Sequence, residues 1–223
     1  QLVKNEDQLN SLRENITSFA CPAAAEQIAI EVFKTIGITD PAILSNRKST
    51  KPQPKKAKKR ESNKRYFFLG IGGIGMSAIA RYFHKQGHLV AGYDLTKTPL
   101  TEKLEEEGIN IHYKDNISLV PVKFMDRENT VVIYTPAVPD NMSEKVFFKE
   151  GNFTMLKRSE ILGELTDGKK ALCVAGTHGK TTTSTLLSHI LNQRAERVNA
   201  FLGGISKNYE SNLIVSSCDQ VVV

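Results

Sequence analysis

Two clusters of residues in this chain are of types and spacings that do chemistry on phosphates. Gly176-Thr177-His178-Gly179-Lys180-Thr181-Thr182 follows the short apolar run 171–175 and precedes a helical pattern. A loop of this kind turns backbone N–H groups inward at a helix N-terminus, where the dipole favours anions. A lysine there reaches the outer phosphates of a nucleotide, and the hydroxyl after it can ligate Mg²⁺. Val174 stands where the full pattern has glycine, so the match is to its Gly-Lys-Thr tail. The second cluster is Gly70, Gly72 and Gly75, in G-x-G-x-x-G order behind Tyr66-Phe67-Phe68-Leu69. Glycines so spaced permit a tight turn and close approach of a pyrophosphate to a helix N-terminus, and Asp94, about 20 residues further on, is placed to accept hydrogen bonds from a ribose.

The elements that must hold these loops follow from apolar spacing. Tyr66–Leu69 is a strand, Met76–Gln86 a helix with Ile79, Ala80 and Phe83 inward, and His88–Tyr93 a second strand. Together they make a βαβ unit. Leu100–Glu107 is a helix, Ile109–Tyr113 a short strand, and Thr130–Tyr134 a continuous apolar strand of the kind found in parallel sheets covered on both faces. It runs into Thr135-Pro136-Ala137, at the strand end where such sheets bind ligands. Ser143–Glu150 is helical, Phe153–Leu156 a brief strand, and Ser159–Leu165 a helix with Ser159 as its N-cap. Behind the second loop, Thr181–Gln193 is a helix burying Leu186, Leu187, Ile190 and Leu191, with His189 on its surface or packed against a neighbour. Val198–Leu202 is a strand ended by Gly203-Gly204, and 213–215 and 221–223 are further strands. The fold class is α/β: a Rossmann-like parallel-sheet domain over 66–166, then the start of a P-loop α/β domain over 167–223.

Residues 1–44 carry two helical patterns, with Leu9, Leu12 and Ile16 on one stripe and Ile28, Val32, Phe33 and Ile36 on another. Residues 45–65 form a Pro- and Lys-rich linker, expected to be extended and disordered. Of the 30 basic and 24 acidic residues in the chain, ten bases and one acid lie in 46–65, so that stretch carries +9 and the rest −3. The overall +6 is therefore a property of the linker, and with no interleaved aromatic residues it does not point to nucleic acid. No apolar run is long enough to insert into a membrane. The odd cysteine count, Cys21, Cys173 and Cys218, fits reduced thiols in a cytoplasmic protein, with Cys173 a small core residue. The chain opens without Met and stops within an apolar strand, so it reads as a piece cut at both ends, with an aggregation-prone strand edge at 221–223.

Two phosphate loops in one chain suit an enzyme that joins a nucleotide-linked substrate to something else at the expense of ATP. Carboxylate activation fits: the γ-phosphoryl goes to a carboxylate, and an amine displaces phosphate from the acyl phosphate. Lysine and Mg²⁺ then act by electrostatic stabilisation and positioning. Gly176-Thr177-His178-Gly179-Lys180-Thr181-Thr182-Thr183 resembles the ATP loop of the Mur ligases, whose shortened glycine pattern accounts for Val174. Phe68–Ser77, Tyr134–Pro139, Arg158-Ser159-Glu160 and Phe201–Gly204 resemble the branch that adds L-alanine to UDP-N-acetylmuramate, and the likeness runs over about 64–223.

The resemblance implies that Gly70, Gly72, Gly73, Ile74, Gly75, Asp94, Thr135, Pro136 and Ala137 hold the UDP-sugar. It implies that Gly176 through Thr182 hold ATP, with Lys180 on the phosphates, His178 near them and Thr181 on Mg²⁺. In the family an acidic stretch and a further domain follow the point reached at Val223, so the chain alone is expected to be inactive. The family's murein-tripeptide recycling branch and a nicotinamide-dependent oxidoreductase are the alternatives. Gln1–Gly37 resembles the C-terminal tail of the glycosyltransferases that add N-acetylglucosamine to a lipid-linked muramyl peptide, which would make the chain a join of two neighbouring wall-synthesis proteins.

Overall fold

Strand β1 (Arg65–Leu69) alternates its side chains between two apolar layers, as a period of two requires. Tyr66 and Phe68 enter one layer with Ile79, Phe83, Leu104 and Ile161; Phe67 and Leu69 enter the other with Phe124, Val132 and Phe148. A strand buried on both faces belongs in the middle of a sheet, and β1 is central. In this computed structural model, which describes residues 64–193 and 197–223, it lies in a five-stranded, wholly parallel sheet of order β3-β2-β1-β4-β5. The other strands are β2 (Leu89–Tyr93), β3 (Asn110–His112), β4 (Thr130–Tyr134) and β5 (Thr154–Lys157). Helices α1 (Ile74–Lys85), α2 (Pro99–Glu106) and α4 (Arg158–Thr166) serve the first layer, and α3 (Ser143–Glu150) with two 3₁₀ turns at 117–125 the second. The chain leaves β1 towards β2 on one side and later adds β4 on the other. The carboxyl ends of β1 and β4 therefore flank the crevice where such a sheet takes ligands.

A second sheet of order β6-β9-β7-β8 begins at β6 (Lys170–Leu172). It comprises β7 (Asn199–Ser206), β8 (Ser211–Ile214) and β9 (Gln220–Val222), with helix α5 (Lys180–Asn192) before β7. Only the β7–β8 pair is antiparallel. The two sheets lie within one compact unit, because α1 packs on β7 and β8 as well as on the first sheet.

Several expectations are corrected. Residues 221–223 are no exposed edge: β9 is paired on both sides, and Val221 and Val222 are fully buried. Strand β6 takes the edge instead, and Cys173 just beyond it is exposed, not in the core. Gly203 and Gly204 do not end β7; the strand continues through them to Ser206 with a register shift. Ser159 is not the cap of α4, which starts one residue earlier, with Glu160 accepting the Lys157 N–H at 2.6 Å. Arg65, counted with the linker, is the first residue of β1 and pairs with Asp126 at 3.3 Å. On α5 the fully buried positions are Ser184, Ser188 and Leu191, while Leu186, Leu187 and Ile190 are half-buried. Two serines on the inner face let the helix approach the sheet closely and leave those larger neighbours on its flanks. His189 packs edge-on against Tyr209, as expected. The helical patterns over 1–44 and the rest of the basic linker lie outside the described residues. Among the described residues no helix is long and apolar enough to cross a membrane.

Candidate nucleotide-binding site

The first glycine loop is fixed by three neighbours. The N–H groups of Gly70 and Ile71 both donate to the Tyr93 carbonyl, at 2.8 and 3.0 Å, tying the end of β1 to the end of β2. Gly70 takes φ +86°, a conformation favouring glycine, and a Cβ there would lie 2.9 Å from Thr135. Asp94 accepts the Gly72 N–H at 2.7 Å through Oδ2 and the Thr96 N–H at 3.2 Å through Oδ1. Its first role is thus to brace the loop, a role the sequence spacing does not display. Gly72 has no room for a side chain, since a Cβ would meet Thr101 at 2.7 Å and Asp94 at 2.8 Å. Thr101 cannot yield: it is fully buried and closes a capping box with Thr98 at the start of α2.

Facing this loop is the segment after β4. Lys145 of α3, nearly buried, donates to the Val138 carbonyl at 3.0 Å and to Asp140 at 2.8 Å. That hydrogen bond, then the ammonium charge, holds the Asp140 carboxyl below its usual range. A clasp closes the far wall. Asp115 accepts the N–H groups of Ser143 and Glu144 at 2.8 and 3.1 Å, and Glu144 in return accepts the Asn116 N–H at 3.1 Å and lies 2.6 Å from His112 Nε2. Burial alone would raise the Asp115 pKa, but the amides at the helix start outweigh it, and the net shift is downward.

Between these walls lies a cavity of about 590 Å³. Of the residues expected there, Gly70, Gly72, Gly73, Asp94, Thr135 and Ala137 line it. Ile74, Gly75 and Pro136 are not among its lining residues; Ile74 and Gly75 form the first turn of α1 beside it. Tyr93, Leu95, Asp115, Asn141 and Met142 also line it and were not foreseen, since only the folded sheet brings them in. One cation was seen in the sequence only as part of a motif. The Arg158 guanidinium, at the start of α4, lies directly over Gly75 and occupies the space a Cβ would take. The cavity is lined by two carboxylates, Asp94 and Asp115, and by the glycine loop that leads into α1, and the Arg158 guanidinium lies over Gly75 in the first turn of that helix.

The second loop sits between β6 and α5. Gly176 and Gly179 have φ of +150° and +76°, and Gly179 leads directly into the helix. The Lys180 ammonium donates to the carbonyls of Gly176 and Thr177 at 2.6 and 3.1 Å, so it stands over the loop mouth. Thr181 backs onto β7, where a Cβ on Gly203 would come within 2.8 Å of its hydroxyl and one on Gly204 within 3.1 Å of its methyl. Those two glycines let the strand pass beneath the loop. His178 and Thr182 are exposed beside it.

This arrangement, a parallel Rossmann-like sheet with a glycine loop followed by a second glycine-bounded loop on another sheet, defines an α/β protein of the Mur-ligase kind. The family model described as "Mur ligase family, catalytic domain" matches residues 65–170, and this part of the chain belongs to the Mur ligase family. Its relatives include the UDP-N-acetylmuramate–L-alanine ligase of Porphyromonas gingivalis, 55% identical over 160 residues, which are 72% of this chain and 35% of that protein. The enzyme of the same name from Flavobacterium johnsoniae is 55% identical over 148 residues, 66% of this chain and 33% of its own length. The chain thus spans about a third of the length of the curated relatives it matches. Among solved structures, the UDP-N-acetylmuramate-alanine ligase of Thermotoga maritima superposes with a TM-score of 0.63 at 30% identity, over 71% of this chain and 36% of that one.

Proposed function

We propose that this chain carries the UDP-N-acetylmuramate site and the first part of the ATP site of an L-alanine-adding ligase. The observation that carries the proposal is the cavity lined by the glycine loop and two carboxylates at the β1/β4 crevice, in one compact unit with a second phosphate loop. Its carboxylates, Asp94 and Asp115, suit the hydroxyl and N–H donors of a ribose and a uracil. The glycine loop at the start of α1, with Arg158 over Gly75, suits a diphosphate. Identity of about 55% to named ligases over the same residues supports this substrate.

In this reading Lys180 and the amides of Gly176–Thr182 hold the phosphates of ATP, and the lysine charge offsets the negative charge that grows on the transferred phosphoryl group. The muramyl carboxylate receives that group, and alanine's amine then displaces it as phosphate. Mg²⁺, if bound there, would supply neutralisation of phosphate charge. Among the described residues no group of three carboxylate, imidazole or thiolate side chains could hold a metal ion, so this part of the chain offers the Thr181 hydroxyl as its ligand. That fits an ion carried in by the nucleotide. Calorimetric titration of the purified chain tests the reading. UDP-N-acetylmuramate is expected to bind and NADH is not; tight NADH binding without UDP-N-acetylmuramate binding would replace the ligase with an oxidoreductase.

A further inference from the structure

Arg81 is the largest fully buried side chain of the described residues, at 2% exposure, and it touches neither phosphate loop. Its Nε donates to both carboxylate oxygens of Glu107, at 2.9 and 2.8 Å, and its Nη1 donates to Asn212 Oδ1 at 2.6 Å. Asn212, on β8 and fully buried, donates in turn to the Ile74 carbonyl at 2.6 Å and to Ser77 Oγ at 2.9 Å. Ile74, Ser77 and Arg81 form one stripe along α1, so a single asparagine of the second sheet is docked on the first two turns of the helix that carries the first glycine loop. The hairpin that supplies this asparagine also supplies Gly203 and Gly204, which lie beneath Thr181 of the second loop. An apolar contact could slide along the helix. A buried guanidinium N–H and amide cannot, because a shift by one residue would break the bonds of Asn212 to Arg81, Ile74 and Ser77 and leave those polar groups unpaired away from water.

We infer that Asn212 and Arg81 are positioning residues that set the β7–β8 hairpin against α1, and so hold the two phosphate loops in one fixed relation for carboxylate and γ-phosphate to meet. The inference rests on the proposed binding of a UDP-sugar at the first loop. Ordering the first turn of α1 by a bound diphosphate then orders, through Asn212, the hairpin beneath the second loop. By linkage the effect is reciprocal.

Amide hydrogen exchange on the whole chain, with and without UDP-N-acetylmuramate, tests it. In the wild type, ligand is expected to slow exchange at least fivefold at 70–78 and also at 199–214 and 176–183. In Asn212→Ala the slowing at 70–78 stays and the remote slowing disappears. Asn212→Asp keeps the acceptor for Arg81 but loses the donor to Ile74 and Ser77; it is expected to behave like Asn212→Ala and serves if the alanine variant does not fold. Remote slowing that persists in a folded variant, or its absence in a wild type that is protected at 70–78, overturns the inference. Loss of local and remote slowing together in the variants marks a merely structural role and also overturns it. A wild type with no slowing at 70–78 instead removes the UDP-sugar reading, and the inference with it.

Discussion

Gly72 and Gly73 are adjacent in the first loop, yet substituting each by alanine has different expected outcomes. At Gly72 the new Cβ would meet Thr101 Cγ2 at 2.7 Å and Asp94 Oδ2 at 2.8 Å. Thr101 is locked in its capping box, so Asp94 must move, and its 2.7 Å hydrogen bond to the Gly72 amide is lost with it. Overpacking costs about 1–3 kcal/mol, and a hydrogen bond to a charged group contributes about 1.5–3 kcal/mol. Because one movement relieves the first by sacrificing the second, the two do not add, and about 2–3 kcal/mol is expected. For a chain of this size that lowers the melting temperature by roughly 5–10 °C. At Gly73 the nearest atoms to a new Cβ lie at 3.5 and 3.6 Å, and φ is −62°, so Gly73→Ala is expected to stay within about 1 kcal/mol of wild type. Thermal unfolding, with UDP titration at a temperature where both variants are folded, measures the pair. Gly72→Ala should also bind UDP at least tenfold more weakly, because the loop amides are no longer aimed. A Gly72→Ala protein that melts with the wild type and binds UDP within twofold of it would refute the bracing role of Asp94.

Arg158→Ala is expected to weaken UDP binding about tenfold while leaving uridine unchanged, with the difference shrinking at high salt; calorimetry with the two ligands reads this directly. Gly203→Ala pushes a methyl into Thr181 and is expected to weaken ATP binding without altering UDP affinity, as fluorescent-nucleotide competition would show. Asp115→Asn keeps one acceptor oxygen but loses the second, and the negative charge, at the start of α3. The Asp115 pKa is lowered in the folded protein, so its contribution to stability is complete above the usual carboxylate value of 3.8 and is lost as pH falls through the lowered value. The melting-temperature gap between wild type and Asp115→Asn should therefore be present at neutral pH and close as the pH falls below 3.8.

The residues legible in the sequence were those whose role depends on local backbone geometry. Gly70 and Gly179 adopt positive φ, and their spacing within a strand–turn–helix unit placed both loops. What was hidden depends on contacts between distant elements. Asp94 was legible as an acid at a strand end, but its bond to Gly72 could not be, because spacing says nothing of which way a carboxylate turns. The clasp joining Asp115 to Ser143 and Glu144 bridges segments that meet only once the sheet has formed. The strand at 221–223 was legible from its three valines, of which Val221 and Val222 are buried. Their interior place in the sheet was not, since strand order is set by crossovers and not by composition.

The same distinction explains how the two loops relate. Each is a local device, a few glycines before a helix, of the kind whose amides and helix dipole favour an anion. What a ligase needs is their relation, and that is carried by residues with no motif: Arg81 buried at the cost of desolvating a guanidinium, Asn212 spanning two turns of α1, and two glycines thinning β7 where Thr181 rests. A buried charge is a poor way to gain stability alone. At the junction of the two sheets it is better explained as a device that admits one register and no other.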